Sequence, residues 1–248
     1  MASLDRGGWA LHYDVAGDGE DVVIFTHGLA GNGTTWSAQV AALAPRYRVV
    51  TWDLRSHARS GSPDESCTPA TLGADLAALA IAVGGGRPVH AVGHSAGGVV
   101  VMRFALGHPD LARSLVLVGT ASEANARAQV FYESLAETAE REGTAAVVRR
   151  LGTHDGAVPD PEPRGFARTA RAMGSLHPSP FTSELDRIRC PVLIVVGEKD
   201  FLGVGGSVIM SRRIEGSRLE IVPERGHAIF RDDPDGFNRL LLEFLESH

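Results

Sequence analysis

A serine flanked by glycines lies between a predicted strand and a predicted helix. Residues 93–97 read Gly-His-Ser-Ala-Gly, a G-x-S-x-G pattern with Ser95 at its centre. The pattern follows the apolar run 89–92 and precedes a helical stretch at 96–106. A serine at such a turn takes a strained backbone conformation, which requires small neighbours and projects the hydroxyl above the sheet. Because a helix N-terminus also favours developing negative charge, the pattern predicts that Ser95 is a nucleophile.

A nucleophilic serine needs a general base within hydrogen-bonding reach. The chain has ten histidines, and His227 fits this role best because it follows the last predicted strand, residues 219–222, near the C-terminus. His27, His90 and His94 lie next to other predicted strands, where they could be structural or line a pocket. We therefore predict that His227 is the base.

An acidic residue that orients the imidazole is expected between the serine and the base in the chain. Asp200 follows the predicted strand 192–196 and is the favoured candidate. Glu123 is the alternative, because it follows the earlier strand 115–118 and some proteins of this design place the acid there. Glu198 is a further neighbour of the same loop. Both alternatives stay open at this point.

A glycine-containing loop, His-Gly-Leu-Ala-Gly-Asn at 27–32, follows the buried strand predicted at 22–26. In a serine hydrolase of this design, a backbone N–H of this loop and the N–H after the nucleophile hold the oxyanion of the tetrahedral intermediate. These positions are Leu29 and Ala96. Leu29 could equally be a packing residue, because the role depends little on the side chain.

Short β-branched runs alternate with helical stretches, which indicates βαβ units and a mostly parallel sheet. Strands such as Val-Val-Ile-Phe-Thr at 22–26 are continuously apolar, as expected when both faces are buried. The rhythm stops between 121 and 185, where residues 131–151 favour a helix. A structureless loop of that length is improbable. We therefore expect a small helical cap at 121–185, inserted into a core formed by 1–120 and 186–248.

The composition excludes several classes of protein. The 24 Lys and Arg against 30 Asp and Glu give a net charge of −6, which argues against nucleic-acid binding. Two cysteines cannot form a disulfide scaffold, no apolar run approaches a membrane span, and the first residues lack a signal-peptide pattern. No Cys/His cluster has zinc spacing. We expect a cytoplasmic protein that needs no metal or cofactor, has no membrane or nucleic-acid partner, and acts on a small molecule.

These motifs together resemble the α/β-hydrolase superfamily, specifically its cap-bearing, cofactor-free serine hydrolases. The resemblance implies a mostly parallel, twisted sheet flanked by helices, with the helical cap inserted after the sixth strand. Family members carry D-x-R-G-x-G-x-S after the second buried strand, and Ser56 and Ala58 replace the two glycines here. That loop borders the active site in the family, so the departure puts substrate preference in doubt. The matching segments are HGLAGN at 27–32, DLRSHARSGSP at 53–63, GHSAGG at 93–98, GEKD at 197–200 and GHAIFRDDP at 226–234.

Within this superfamily, Ser95 argues against the haloalkane dehalogenases and epoxide hydrolases, which use an aspartate nucleophile. The chain is similar to the esterase, enol-lactonase and C–C hydrolase cluster, so we expect hydrolysis of a small carboxylic ester or lactone. A C–C hydrolase of meta-cleavage or diketone substrates and a slowly turning-over ligand sensor are the alternatives. Phe131, Tyr132 and Met173 are candidate pocket residues, although such side chains often pack a cap onto its core. The oligomeric state is left open.

Overall fold

The computed structural model describes residues 2–152 and 162–248, and its centre is an eight-stranded sheet. The strands lie in the order β1-β2-β4-β3-β5-β6-β7-β8. Strand β2 runs antiparallel to both of its neighbours, β1 and β4, and all other neighbouring strands are parallel. The strand bounds are β1 Ala2–Asp5, β2 Ala10–Ala16, β3 Val22–Thr26, β4 Arg48–Trp52, β5 Val89–His94, β6 Ala112–Val118, β7 Val192–Gly197 and β8 Arg218–Val222. This architecture confirms the predicted fold class.

Helices follow most of the parallel strands. Short 3-10 turns precede the helix at 37–43 and the strands β6 and β7. The helix predicted at 96–106 corresponds to α3 of the structure. The helix bounds are α1 Ser37–Leu43, α2 Pro69–Gly84, α3 Ala96–Gly107, α4 Ala126–Glu142, α5 Thr144–Leu151, α6 Pro163–Gly174, α7 Gly205–Arg213, α8 Ile229–Asp232 and α9 Pro234–Glu246. Among the described residues, no helix is both long and apolar enough to cross a membrane.

The parallel strands are apolar throughout because helices cover both faces of the sheet. All five residues of β3 are buried. Val22 and Ile24 belong to the core on one face, whereas Val23 and Phe25 belong to the core on the other. This alternation follows from the two-residue period of a strand. The sheet is therefore a rigid platform, and the loops at its carboxyl edge can carry chemistry.

The N-terminal strand β1 is not anticipated by the sequence analysis. It pairs with β2 at the antiparallel edge of the sheet, and its residues alternate between half-buried and exposed. Four residues with one large apolar side chain, Leu4, carry too weak a periodic signal to be recognised alone.

Between β6 and β7 the described residues form the helices α4, α5 and α6. Residues 131–151, predicted to be helical, fall in two helices, because α4 ends at Glu142 and α5 begins at Thr144. Gly143 separates them with φ 80° and ψ 162°, values outside the helical region. Part of the predicted cap, residues 153–161, lies outside the described residues, and the domain boundaries at 121 and 185 stay a prediction.

The helices α2 and α3 approach closely because one residue of α2 lacks a side chain. A Cβ atom at Gly73 would lie 2.8 Å from the backbone carbon of Arg103 and the nitrogen of Phe104 in α3. Backbone atoms cannot move aside without shifting the helix, so the position accepts only glycine. Since α3 begins directly after Ser95, this contact also fixes the helix that supports the predicted nucleophile.

We predict that Gly73→Ala lowers the free energy of unfolding by about 2 kcal/mol or more, because α2 and α3 must separate. Gly107→Ala is the matched control: a Cβ at Gly107, the last residue of α3, meets no atom within 4 Å. Urea unfolding followed by circular dichroism measures both variants. Equal stability of the two would contradict this account of the helix contact.

Candidate active site

Ser95 occupies the sharp turn between β5 and α3, and its backbone is left-handed with φ 53° and ψ −118°. Its N–H donates to the Val118 carbonyl at 2.9 Å, and its own carbonyl accepts from the Thr120 hydroxyl at 2.7 Å. These bonds to the end of β6 hold a conformation that costs a non-glycine residue about 1–3 kcal/mol. The neighbouring glycine positions are obligatory, because a Cβ at Gly97 would overlap the Thr26 carbonyl oxygen.

His227 and Asp200 form a hydrogen-bonded pair at the carboxyl edge of the sheet. The imidazole Nδ1 lies 3.0 Å from Oδ1 and 2.9 Å from Oδ2 of Asp200, whose side chain is 1% exposed. The N–H of Leu202 donates to Oδ1 at 2.9 Å and fixes the carboxylate. An ionised carboxylate is an acceptor, so it selects the tautomer with hydrogen on Nδ1 and leaves Nε2 of His227 able to accept a proton.

The two alternative acids lie elsewhere. Glu123 is exposed and accepts a hydrogen bond from the Thr182 hydroxyl at 2.6 Å. Glu198 is also exposed and accepts from the backbone N–H of Glu224 at 3.0 Å. Of the three candidates, the structure therefore brings Asp200 alone to the His227 imidazole.

His94, directly before Ser95, supports the backbone of His227. Its Nε2 donates to the His227 carbonyl at 3.1 Å, and the two rings are 4.6 Å apart. Burial lowers the pKa of His94 well below its usual value, and the charge on a protonated His227 lowers it further. His94 is therefore neutral at neutral pH and acts as a fixed donor rather than a second base.

The predicted oxyanion loop lies against the nucleophile. A Cβ on Gly28 would be 3.3 Å from the Cβ of Ser95. The loop turns tightly, since the Gly31 N–H donates to the Gly28 carbonyl at 3.0 Å. The N–H groups of Leu29 and Ala96 donate no hydrogen bond to any other residue that the structure describes. Unpaired N–H groups are rare in folded proteins, so these two are candidate donors to a bound oxygen atom.

Two buried histidines hold this loop from below. Nδ1 of His27 donates to the Gly28 carbonyl at 2.7 Å, and its Nε2 accepts from the Leu54 N–H at 3.0 Å. Nε2 of His57 accepts from the Ala30 N–H at 3.3 Å. Burial lowers both pKa values, that of His57 to about 3, so each ring is neutral and can donate and accept at once. His90, the third candidate structural histidine, is buried against the Ser114 hydroxyl in the sheet.

A cavity of about 100 Å³ opens onto Ser95 and His227, and its walls are mostly apolar. Phe131 and Tyr132, two of the three candidate pocket residues, line it. Met173 does not; its side chain is fully buried where α6 packs in the core. The remaining lining residues are Gly28, Leu29, Gly31, Thr35, His94, Leu135, Leu151, Phe201, Leu202, Phe230 and Arg231. Among the described residues, no group of three or more His, Cys, Asp or Glu side chains is placed to hold a metal ion.

The sequence analysis did not identify the lining residues that follow Asp200 and His227 in the chain. Phe201 and Leu202 come directly after Asp200, and Phe230 and Arg231 come shortly after His227. The Phe201 ring lies 4.5 Å from the His227 ring although its residue is 68% exposed. Proximity in sequence to a predicted base or acid was the available signal.

The loop that lacks the two expected glycines keeps a glycine-like backbone. Ser56 has φ 63° and Ala58 has φ 47°, both in the left-handed region. The Ser56 carbonyl accepts from the Glu162 N–H at 3.0 Å at the start of α6, and its hydroxyl bonds to Ser62 at 3.0 Å. Neither Ser56 nor Ala58 lines the cavity. Both residues therefore adopt the positive φ that glycine tolerates best.

The model of the alpha/beta hydrolase family matches residues 23–240. The putative carbamate hydrolase RutD of Caulobacter sp. (strain K31) is 31% identical over 261 residues, which cover 95% of each chain. RutD of Escherichia coli (strain K12 / DH10B) is 30% identical, with 91% of each chain covered. These matches show that the chain belongs to the α/β hydrolase family, and it is a hydrolase.

Solved structures of low sequence identity share the fold. The enol-lactonase from Burkholderia xenovorans LB400 has a TM-score of 0.86 at 21% identity, covering 99% of this chain and 100% of that one. A thermophilic esterase from Thermogutta terrifontis has a TM-score of 0.85 at 24% identity, covering 99% and 96%. This similarity extends over the whole chain.

We predict that Ala58→Gly raises the free energy of unfolding by about 1 kcal/mol, because glycine takes φ above zero without the Cβ clash that alanine suffers. Ala41→Gly is the control, since Ala41 is exposed inside α1 and should lose about 0.5–1 kcal/mol. Chemical denaturation measures both. A destabilised Ala58→Gly protein would show that the left-handed backbone there carries no strain.

Proposed function

Because the chain is an α/β hydrolase, we propose that it is a serine hydrolase that cleaves a small carboxylic ester or lactone. In this proposal Ser95 is the nucleophile, His227 the general base and Asp200 the acid that orients it. The observation that carries the proposal is the Asp200–His227 hydrogen bond at 2.9 Å beside a cavity that contains Ser95. An imidazole oriented by a carboxylate next to a strained serine is the arrangement that acyl transfer requires.

In the first half of the reaction, Nε2 of His227 removes the Ser95 proton while Oγ attacks the ester carbonyl. The carbonyl oxygen becomes negative, and the unpaired N–H groups of Leu29 and Ala96 stabilise it. His227 then gives the proton to the leaving alcohol, and an acyl-enzyme on Ser95 remains. In the second half, His227 takes a proton from water, the water attacks the acyl group, and Oγ recovers its proton as the acid leaves.

The cavity supports a small substrate. Its volume is about 100 Å³, and Phe131, Tyr132 and Leu135 give it an apolar wall. We propose that these side chains bind the apolar part of the ester. Their exclusion of water also strengthens the hydrogen bonds to the oxyanion, because those bonds then act in a medium of low dielectric constant.

Carbamate hydrolysis is a second candidate, and the similarity to the putative carbamate hydrolase RutD, at 31% identity, favours it. The chemistry would begin identically, because a carbamate carbonyl can accept the same attack by Ser95. It would differ afterwards, since a carbamoyl group on serine is stabilised by its nitrogen and is released slowly. A 4-nitrophenyl N-methylcarbamate and 4-nitrophenyl acetate distinguish the two: comparable steady-state turnover of the carbamate favours carbamate hydrolysis, and a single burst favours the ester hydrolase.

We predict that Ser95→Ala lowers kcat for 4-nitrophenyl acetate by about 10⁶-fold, because no nucleophile remains. A fluorophosphonate probe should label the unmodified protein at Ser95 and leave the variant unlabelled. Ser211→Ala is the control, because Ser211 lies in α7 and does not line the cavity. Hydrolysis by Ser95→Ala at a rate close to that of the unmodified protein would exclude the mechanism.

We predict that Asp200→Asn lowers kcat by about 10⁴-fold, because the amide no longer selects the required tautomer of His227. Glu123→Gln and Glu198→Gln are matched controls, since both side chains are exposed and bonded elsewhere. Steady-state rates of the three variants on one ester make the comparison. If Glu123→Gln shows the large loss instead, the acid is misassigned.

A further inference from the structure

One charged side chain lies at the proposed catalytic cavity. Arg231 belongs to α8, the short helix that follows His227, and it lines the cavity together with Ser95 and His227. Among the described lining residues it is the only Asp, Glu, Lys or Arg. The other described walls are largely apolar, so this guanidinium is the permanent charge that a substrate meets there.

Arg231 is not used in the packing of the protein. The neighbouring Arg225 is paired with Asp233 at 3.2 Å, whereas Arg231 belongs to none of the ion pairs between described residues. Its residue is exposed. An arginine that stabilises a fold is expected to have a carboxylate or carbonyl partner, so Arg231 has donors available for another molecule.

The charge of Arg231 reaches the centre of the site. His94 is buried beside His227 and contacts the Phe230 ring at 4.9 Å between centroids. Burial and His227 are the main causes of its lowered pKa, and the positive charge of Arg231 lowers that pKa further. Arg231 directly follows Phe230, whose ring contacts His94, the residue before Ser95.

We infer that the ester cleaved at this site carries a negatively charged group, of the carboxylate class, which pairs with Arg231 while the ester carbonyl lies at Ser95. The inference rests on the proposed ester hydrolase function and adds the charge of its substrate. A carboxylate matches the paired N–H donors of a guanidinium.

A local cation must overcome the overall field of the protein if an anion is to bind. The chain has a net charge of −6, which repels anions, so an anion can be held only beside a positive side chain such as Arg231. Arg150 lies over the ring of Phe131, 5.6 Å from its centroid, on the side of the cavity formed by α4 and α5. Arg150 is therefore a second positive charge beside a residue of the cavity wall.

Pairs of esters that differ only in charge test the inference. 4-Acetoxybenzoate against 4-acetoxybenzamide places the charge on the alcohol part, and the 4-nitrophenyl monoesters of adipic acid and adipamic acid place it on the acyl part. We expect kcat/KM to favour the anionic member of at least one pair about tenfold, since a charge-assisted hydrogen bond stabilises by more than a neutral one. The preferred pair identifies the part of the ester that meets Arg231.

Arg231→Gln should abolish this preference, so that the ratio of kcat/KM for the anionic and the neutral ester becomes about one. The control Arg212→Gln changes the net charge equally, and because Arg212 is exposed on α7 outside the cavity, it should keep the preference. In the unmodified protein, the preference should also shrink as salt is raised from about 0.05 M to about 0.5 M, because ions screen the pair. A merely structural role of Arg231 would change both members of each pair alike.

The inference is overturned if neither anionic ester is preferred, or if Arg231→Gln keeps the preference. Calorimetric binding of the same four compounds to the Ser95→Ala protein provides a readout without turnover. Tighter binding of a carboxylate there, lost in the Ser95→Ala, Arg231→Gln double variant, supports the anion site even if no ester is hydrolysed. Equal binding of acid and amide rejects the anion site, whereas absent hydrolysis alone rejects the proposed function.

Discussion

The left-handed backbone of Ser95 is the constraint on which the site depends. A residue with φ 53° at the junction of β5 and α3 points its side chain away from both elements, toward the loops at the carboxyl edge of the sheet. The conformation persists because bonds to Val118 and Thr120 hold the turn and because Gly97 lets the chain pass against Thr26. The hydrogen bonds and packing of the surrounding sheet offset the free-energy cost of this strained conformation. A rigid sheet is therefore needed to keep Ser95 in it.

The parts of the fold that were predictable are those in which local pattern and global packing agree. A continuous apolar run such as β3 is typical of a strand that is buried on both faces. The same residues therefore predict both the strand and the helices that cover it. Parallel strands end at one edge, and this geometry brought Asp200 and His227, which are 27 positions apart, within hydrogen-bonding distance. Short motifs at strand ends were informative for this reason.

Other features could not be predicted, because tertiary context decides them. The break at Gly143 and the burial of Met173 depend on how α4, α5 and α6 pack, which helical periodicity does not reveal. The left-handed Ser56 and Ala58 show that neighbours can impose a conformation that sequence statistics assign to glycine. Nothing in the sequence distinguishes Arg231 from the other arginines, and only the fold places it at the cavity.

The two neutral histidines beneath the oxyanion loop also make the fold acid-sensitive. In an unfolded chain each imidazole binds a proton near pH 6.5, whereas His57 in the folded protein resists protonation down to a pKa of about 3. Between those values the unfolded chain binds more protons, so stability decreases as the pH falls through this window. His27, whose pKa burial also lowers, acts in the same direction. The loop at 27–32 is held by uncharged rings, so its conformation depends on a pH at which both imidazoles stay neutral.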